Sequence, residues 1–295
     1  MEDKNTSSIF EQSRSSLASY DPQSLWQHTN GEGIKIAILD TGVDLWHPAL
    51  RNNIKEFRSF TRDGAETDED GHGTMLAGVI TASKCSGSMQ GIAPGAELYI
   101  GKVVRHATGG VIEDLLHGLE WAIAIRANVI CVCLTNSSPI DEIHSVIRKA
   151  ILHGAFVICA AGNTGREGVG YPARYDECLA VGAVTKLNHR WIASACGRGV
   201  DVVTFGERVR STYPTYINST GYSVNSGTSI ATSLVTGVVA LGLAKQNKYP
   251  VRDPIKNQYE LLTRLRQTAK SPVKTIPDDE YGYGVVDPKA FLDSI

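Results

Sequence analysis

Residues 227–245, GTSIATSLVTGVVALGLAK, carry no charge before Lys245 and are nearly all apolar around every face of a helix. Such a segment has no side to offer to water, so it must lie inside a protein large enough to surround it. The chain is large enough. Its 295 residues, 42% hydrophobic and 20% charged, form an ordinary globular composition with room for one large α/β domain. That composition excludes a disordered chain and a collagen-like repeat. Uninterrupted apolar runs fall short of the roughly 18–20 residues that span a bilayer, so no membrane partner is expected. A formal net charge of −2 excludes the basic field on which non-specific nucleic-acid binding depends.

Short β-like runs alternate with helical ones around this segment. IKIAIL (34–39), ELYIGKVV (97–104), NVICVCL (128–134), AFVICAA (155–161) and CLAVGAV (178–184) read as buried strands. GTMLAGVITAS (73–83), EDLLHGLEWAIAI (113–125), DEIHSVIRKAILH (141–153), NQYELLTRLRQTA (257–269) and DPKAFLDS (287–294) read as helices. In the second of these, Leu115, Leu119, Ala122 and Ile123 share one face. The alternation predicts an α/β fold, a mostly parallel sheet with helices on both faces. Ligands of such sheets bind outside the carboxyl ends of the strands. Two polar motifs stand there, DTG (40–42) and AGN (161–163). Residues 1–30 read as a polar, Ser-rich arm that packs at most through Ile9, Phe10 and Trp26, and residues 31–295 as one domain.

Three motifs carry the chemistry: ILDTGVD (38–44), DGHGTMLAG (70–78) and NSGTSIATSLVTG (225–237). They supply Asp40 after a buried strand, His72 at a helix N-terminus and Ser229 at the start of the internal helix. A serine hydroxyl is a poor nucleophile until an adjacent imidazole can take its proton. The imidazole in turn needs a carboxylate to fix its tautomer and to stabilise it once charged. The chain order Asp, His, Ser is one of the orders in which such triads occur. Helix N-terminal N–H groups around Ser229 lie where an oxyanion would form. In CAAGNTG (159–165), the side-chain amide of Asn163 is a further candidate donor to it.

These motifs, together with YGYGVVDP (281–288), make residues 31–287 resemble the subtilisin-like serine proteases, or subtilases. The resemblance implies the three-layer subtilisin-like fold and a serine endopeptidase working through an acyl-enzyme. It assigns Asp40, His72 and Ser229 to the triad and Asn163 to the oxyanion hole. The implied partner is a peptide or protein substrate in extended conformation, held by strand addition between Thr108–Gly109–Gly110 and Cys133–Leu134–Thr135. Ala160, Ala161 and Gly162 would line the primary pocket. A peptide-maturing transpeptidase and a catalytically silent peptide-binding relative are the alternatives.

The chain departs from the family pattern in several places. Met75 replaces the second histidine after GHGT, Ser233–Leu234 replaces Pro-His, and Ala49 replaces a carboxylate. Thr135 stands where the family has glycine, and a β-branched residue there should crowd the cleft and narrow specificity. The loop SKCSGSM (83–89) has no Asn or Asp, whereas calcium takes six to eight oxygen ligands. The family's tight calcium site is therefore expected to be absent, leaving no metal and no cofactor. The N-terminus shows no basic and apolar leader, and only 39 residues precede Asp40, too few for a long folding propeptide. Six cysteines without a C-x-x-C pair read as reduced thiols, so the expected setting is cytoplasmic. A protease in that setting needs restraint, by narrow specificity or by a regulatory partner.

Other chemistries fit less well. ILDTGVD also matches the aspartic-protease pattern, but that reaction needs two carboxylates sharing a proton, and no second DTG or DSG exists. The remaining seven histidines show no metal-ligand spacing and read as structural or exposed. The acidic run Glu66, Asp68, Glu69, Asp70 reads as a solvated loop, with a possible preference for basic substrate residues. GREGVG (165–170) lacks the Gly-Lys-Ser/Thr ending of a phosphate loop and reads as a flexible rim of the pocket.

Overall fold

The computed structural model describes residues 22–62, 64–83, 89–106 and 109–295. Residues 1–21 of the arm, Cys85 with most of its loop, and Thr108 lie outside the described residues. Seven parallel strands form one sheet in the order β2-β3-β1-β4-β5-β6-β7. They are β1 (Lys35–Asp40), β2 (Ile54–Ser59), β3 (Glu97–Lys102), β4 (Val129–Val132), β5 (Phe156–Ala160), β6 (Leu179–Val184) and β7 (Val202–Phe205). An antiparallel hairpin of β8 (Val209–Thr212) and β9 (Tyr222–Asn225) stands apart from the sheet.

Among the described residues the α-helices are α1 (Pro22–Leu25), α2 (His72–Thr81), α3 (Ile112–Ala124), α4 (Asp141–Leu152), α5 (Thr228–Lys248), α6 (Gln258–Thr268) and α7 (Pro288–Asp293). Strand side chains alternate between two cores, as a pleat of period two requires. On β1, Ile36 and Ile38 face α2 and α5, whereas Ala37 and Leu39 face α3 and α4. Both faces are covered, which explains why the central strands are apolar throughout.

Helix α5 is buried along its whole length from Thr228 to Ala244. With a mean hydropathy of 1.4 it is long and apolar enough, by length and composition, to cross a membrane. This corrects the expectation from uninterrupted runs, because its threonines and serines barely lower the average. Ninety-four per cent of the stretch is covered by the protein itself. The last residues of the arm are likewise tied down. Leu25 joins the core, and the Trp26 indole donates to the Ile92 carbonyl at 2.7 Å.

The connections from β1 and β4 run to opposite sides of these neighbouring strands, and a crevice opens at their carboxyl ends. Asp40 ends β1, Cys133–Thr135 continue β4, and Ala161–Asn163 continue the next strand, β5. Helix α2 also enters this region, crossing the β8–β9 hairpin closely. The Ser211 hydroxyl donates to Met75 O at 2.6 Å and the Thr212 hydroxyl to Thr74 O at 2.7 Å.

Gly78 makes that crossing possible, since a Cβ there would overlap Thr212 Oγ1 and come within 2.6 Å of Ser211 Oγ. Gly78→Ala gains about 1 kcal/mol of helix propensity. It also forces apart two hydroxyls that are already committed to bonds. The expected net result is a loss of roughly 1–2 kcal/mol, read as a lower thermal unfolding midpoint. An unchanged or raised midpoint would show that the crossing is slack.

Candidate active site

Asp40 is fully buried at the end of β1. Its Oδ1 accepts from the Thr41 N–H at 2.8 Å and from His72 Nδ1 at 2.7 Å. The bond fixes the imidazole so that Nε2 is left for the cleft. His72 is the first residue of α2 and its side chain is 19% exposed. Helix and turn meet because Gly73 has no side chain: a Cβ there would run into the Gly42 carbonyl.

A carboxylate holds this junction together. Asp68 is fully buried. Its Oδ1 accepts from the Thr41 hydroxyl and the Gly71 N–H, both at 2.8 Å, and from the Asp70 N–H at 3.2 Å. Its Oδ2 accepts from the Thr74 N–H at 2.8 Å and the Thr74 hydroxyl at 2.6 Å. The negative charge thus sits at the N-terminus of α2, where free N–H groups and the helix dipole favour it.

Of the acidic run, Glu66 and Glu69 are exposed as a solvated loop would have them, whereas Asp68 is buried. Asp68 is spent on structure, and Glu69 pairs with Arg105 at 2.8 Å and with the fully buried Lys102 at 3.4 Å. Arg105 holds the Glu69 carboxyl below its usual range. Asp70 lies 3.7 Å from His106. Reasoning from sequence missed the role of Asp68. The available signal was an acid four residues ahead of a histidine that opens a helix, masked by the acids on either side of it.

Ser229 is the second residue of α5 and only 5% exposed. The N–H groups of that first turn have no intrahelical acceptor. One of them, on Thr228, donates to Asn163 Oδ1 at 3.0 Å. The Thr228 hydroxyl donates to the same oxygen at 2.9 Å and accepts the Gly162 N–H at 3.2 Å. Occupying Oδ1 twice fixes the orientation of the amide and leaves its Nδ2 hydrogens for the cleft.

One cleft of about 820 Å³ is lined by His72, Ser229, Asn163, Gly109, Gly110, Cys133, Leu134, Thr135, Ala160 and Gly162. Asp40 stands behind His72, and Thr108 lies outside the described residues. Ala161 is not a pocket residue. It is fully buried in the core toward α3 and α4, because the side chain next to Ala160 on an extended strand points to the opposite face. Tyr171, Pro172, Tyr175, Ile112, Leu115, Ile143 and Asn225 line the cleft without having been anticipated. Apart from Asn225, which opens the motif around Ser229, they come from loops and helix ends that no local motif marks.

The rim at 165–170 is tied rather than flexible. The Thr164 hydroxyl donates to Gly168 O at 3.1 Å, and Arg166 pairs with Glu280 at 2.6 Å. The five described cysteines are free and buried. Cys133 lies under Ser229, its Sγ donating to Ser229 O at 3.7 Å. Burial, with Cys131 beside it, raises its pKa well above the usual thiol value. It stays a neutral thiol and does not compete with the serine.

Burial would lower the His72 pKa, but the Asp40 charge and hydrogen bond, backed by the charges of Asp70 and Asp68, raise it from 6.5 to about 9. In stability terms, the protonated pair contributes fully below pH 6.5 and its contribution is lost as pH rises through about 9. For proton abstraction the sign is opposite, because only the neutral imidazole is a base. Any activity in which His72 takes a proton is expected to rise with pH, with its acid limb near 9 rather than 6.5. Asp70→Asn removes one of the charges that raise the value, so the limb should move to lower pH. A kcat/KM profile measured on both proteins checks this, and coincident profiles would refute it.

Comparison with known proteins places the chain in a family. The family profile described as the subtilase family matches residues 31–284. Subtilisin BL of Lederbergia lenta is 39% identical over 261 residues, 88% of this chain and 91% of that protein. The major intracellular serine protease of Bacillus subtilis (strain 168) is 36% identical over 231 residues, 75% of this chain and 71% of that protein. The intracellular serine protease of Paenibacillus polymyxa is 36% identical over 227 residues, 74% and 68% of the two chains. The chain belongs to the subtilase family, the serine-type endopeptidases with this α/β fold.

Proposed function

We propose that Ser229, His72 and Asp40 act as a nucleophile, base and orienting carboxylate that cut peptide bonds through an acyl-enzyme. The observation that carries this reading is the 2.7 Å His72–Asp40 bond at the wall of a cleft that also presents Ser229 and Asn163. Ser229 Oγ attacks the peptide carbonyl carbon while His72 Nε2 takes the hydroxyl proton. Asp40, fully buried, holds the ring and stabilises the imidazolium that results. The oxyanion is received by Asn163 Nδ2 and the Ser229 N–H. His72 then gives its proton to the leaving amine, and water hydrolyses the ester by the same route in reverse.

The substrate is a peptide or an extended segment of a protein, laid between Gly109–Gly110 and Cys133–Thr135. Thr135 lines the cleft without spanning it, and segment 213–224 does not line it at all, which favours catalysis over the silent alternative. Tyr213 is held back by its hydroxyl, which donates to Asp70 O at 2.8 Å. The proposed setting is cytoplasmic, supported by two relatives named as intracellular serine proteases.

A fluorophosphonate probe is expected to label the wild type and neither Ser229→Ala nor His72→Ala. Labelling that survives Ser229→Ala would sink the assignment. Asn163→Ala should lower kcat by about 100- to 1000-fold with little change in KM, the loss already known for this kind of donor in a subtilisin.

Calcium independence is also proposed, on the absence of Asn and Asp from the 83–89 loop. Excess EDTA is then expected to leave both the unfolding midpoint and peptide hydrolysis unchanged. A drop restored by calcium would show a site that the sequence conceals.

A further inference from the structure

We infer, resting on the protease reading above, that Thr135 closes the primary pocket and restricts the residue on the acyl side of the cut bond to glycine, alanine or serine. When that residue's carbonyl carbon is at Ser229 Oγ and its oxygen at Asn163, its side chain must enter the recess beside both. One wall of the recess is Gly162, adjacent to Asn163. The other is the continuation of β4, placed beside the nucleophile by the 3.7 Å approach of Cys133 Sγ to Ser229 O. The Thr135 side chain stands between these walls.

The glycines serve as measuring rods. A Cβ built on Gly162 would lie 3.5 Å from Thr135 Cγ2 and 3.8 Å from its Oγ1. A Cβ built on Gly170 would lie 3.0 Å from Thr135 Cβ and 3.4 Å from its Cγ2. Since a C–C bond adds only about 1.5 Å, the threonine methyl is within about 5 Å of the Gly162 Cα. A ring or branched chain between two walls needs a contact of about 3.5–4.0 Å on each side, about 7 Å in all. A side chain longer than two heavy atoms beyond Cα therefore has no room to pass the methyl.

The walls are also fixed. Asn136 and Tyr171 exchange two backbone bonds of 2.8 Å just beyond Thr135. The Gly170 N–H donates to Ala161 O at 2.9 Å, and the Ala195 N–H donates to Gly162 O at 2.8 Å. Widening the recess would break several of these at once.

The test uses peptide p-nitroanilides that differ only in the acyl-side residue: Ala, Ser, Leu or Phe. Wild-type kcat/KM for Ala and Ser should exceed that for Leu and Phe by at least about 10-fold, the scale at which one ill-fitting methylene discriminates. Thr135→Gly should move the Phe-to-Ala ratio toward Phe by about 10-fold or more. Thr135→Ser removes the methyl and keeps the hydroxyl, so its ratio should fall between the two. Digestion of a denatured protein should yield new C-termini that are mostly Gly, Ala and Ser.

Wild-type hydrolysis of Phe as fast as Ala, or a ratio unmoved in both variants, would overturn the inference. Fluorophosphonate labelling of the same preparation separates the failures. A labelled enzyme that prefers Phe overturns only the pocket reading, whereas an unlabelled protein inactive on all four substrates overturns the protease reading with it.

Discussion

The helix Thr228–Lys248 is enclosed on every side from Thr228 to Ala244, and water must be kept from all of that stretch. The sheet covers one flank, and α2, α6 and α7 pack around the others. Enclosure leaves its N-terminus as the end that reaches the crevice. The free N–H groups of that first turn therefore emerge beside the carboxyl ends of β4 and β5, together with Ser229 and Thr228. The position of Ser229 is thus a consequence of hydrophobic burial, while the chemistry proposed for it depends on where a helix leaves its N–H groups unpaired.

A second helix end sets the electrostatics. Asp68 stitches the start of α2 to the DTG turn through five accepted hydrogen bonds. It brings a negative charge into the neighbourhood of His72 without exposing it. Asp40 makes direct contact and Asp70 adds to the field, so three carboxylates oppose the desolvation of one imidazole. The same acids that position the ring therefore favour its charged form. That is useful once a proton has been taken up, and it makes the first uptake depend on pH.

The sheet's central strands and the helices were legible because their apolar periodicity is strong. IKIAIL, AFVICAA and the 227–245 segment can be read in isolation. Strand β2 was not legible: IKEFRS is half exposed at a sheet edge and has no apolar run to mark it. Four-residue β7 and the β8–β9 hairpin were missed for a related reason, since such short elements are specified by partners far along the chain. The residues assigned to the triad and oxyanion hole sit in recognisable motifs. The hydrogen bonds that support them could not be read there, because Thr228 reaches back 65 residues to Asn163 and Thr41 reaches forward 27 to Asp68. The same distinction explains Ala161. Its neighbours in the motif face the cleft, but strand alternation turns its own side chain into the opposite core.

Thr228 ties one wall of the cleft to the start of α5 at one hydroxyl, which accepts from Gly162 and donates to Asn163. The other wall is tied back to the first through Asn136 with Tyr171 and Gly170 with Ala161, so the two cannot swing apart while these bonds hold. A groove that does not open leaves all adjustment to the chain that enters it. Segments already extended and free of their own hydrogen bonds can be threaded in, whereas a folded domain would first have to unravel locally. Native structure in the target is then itself a form of protection, and the molecules exposed to cutting are those that have begun to come undone.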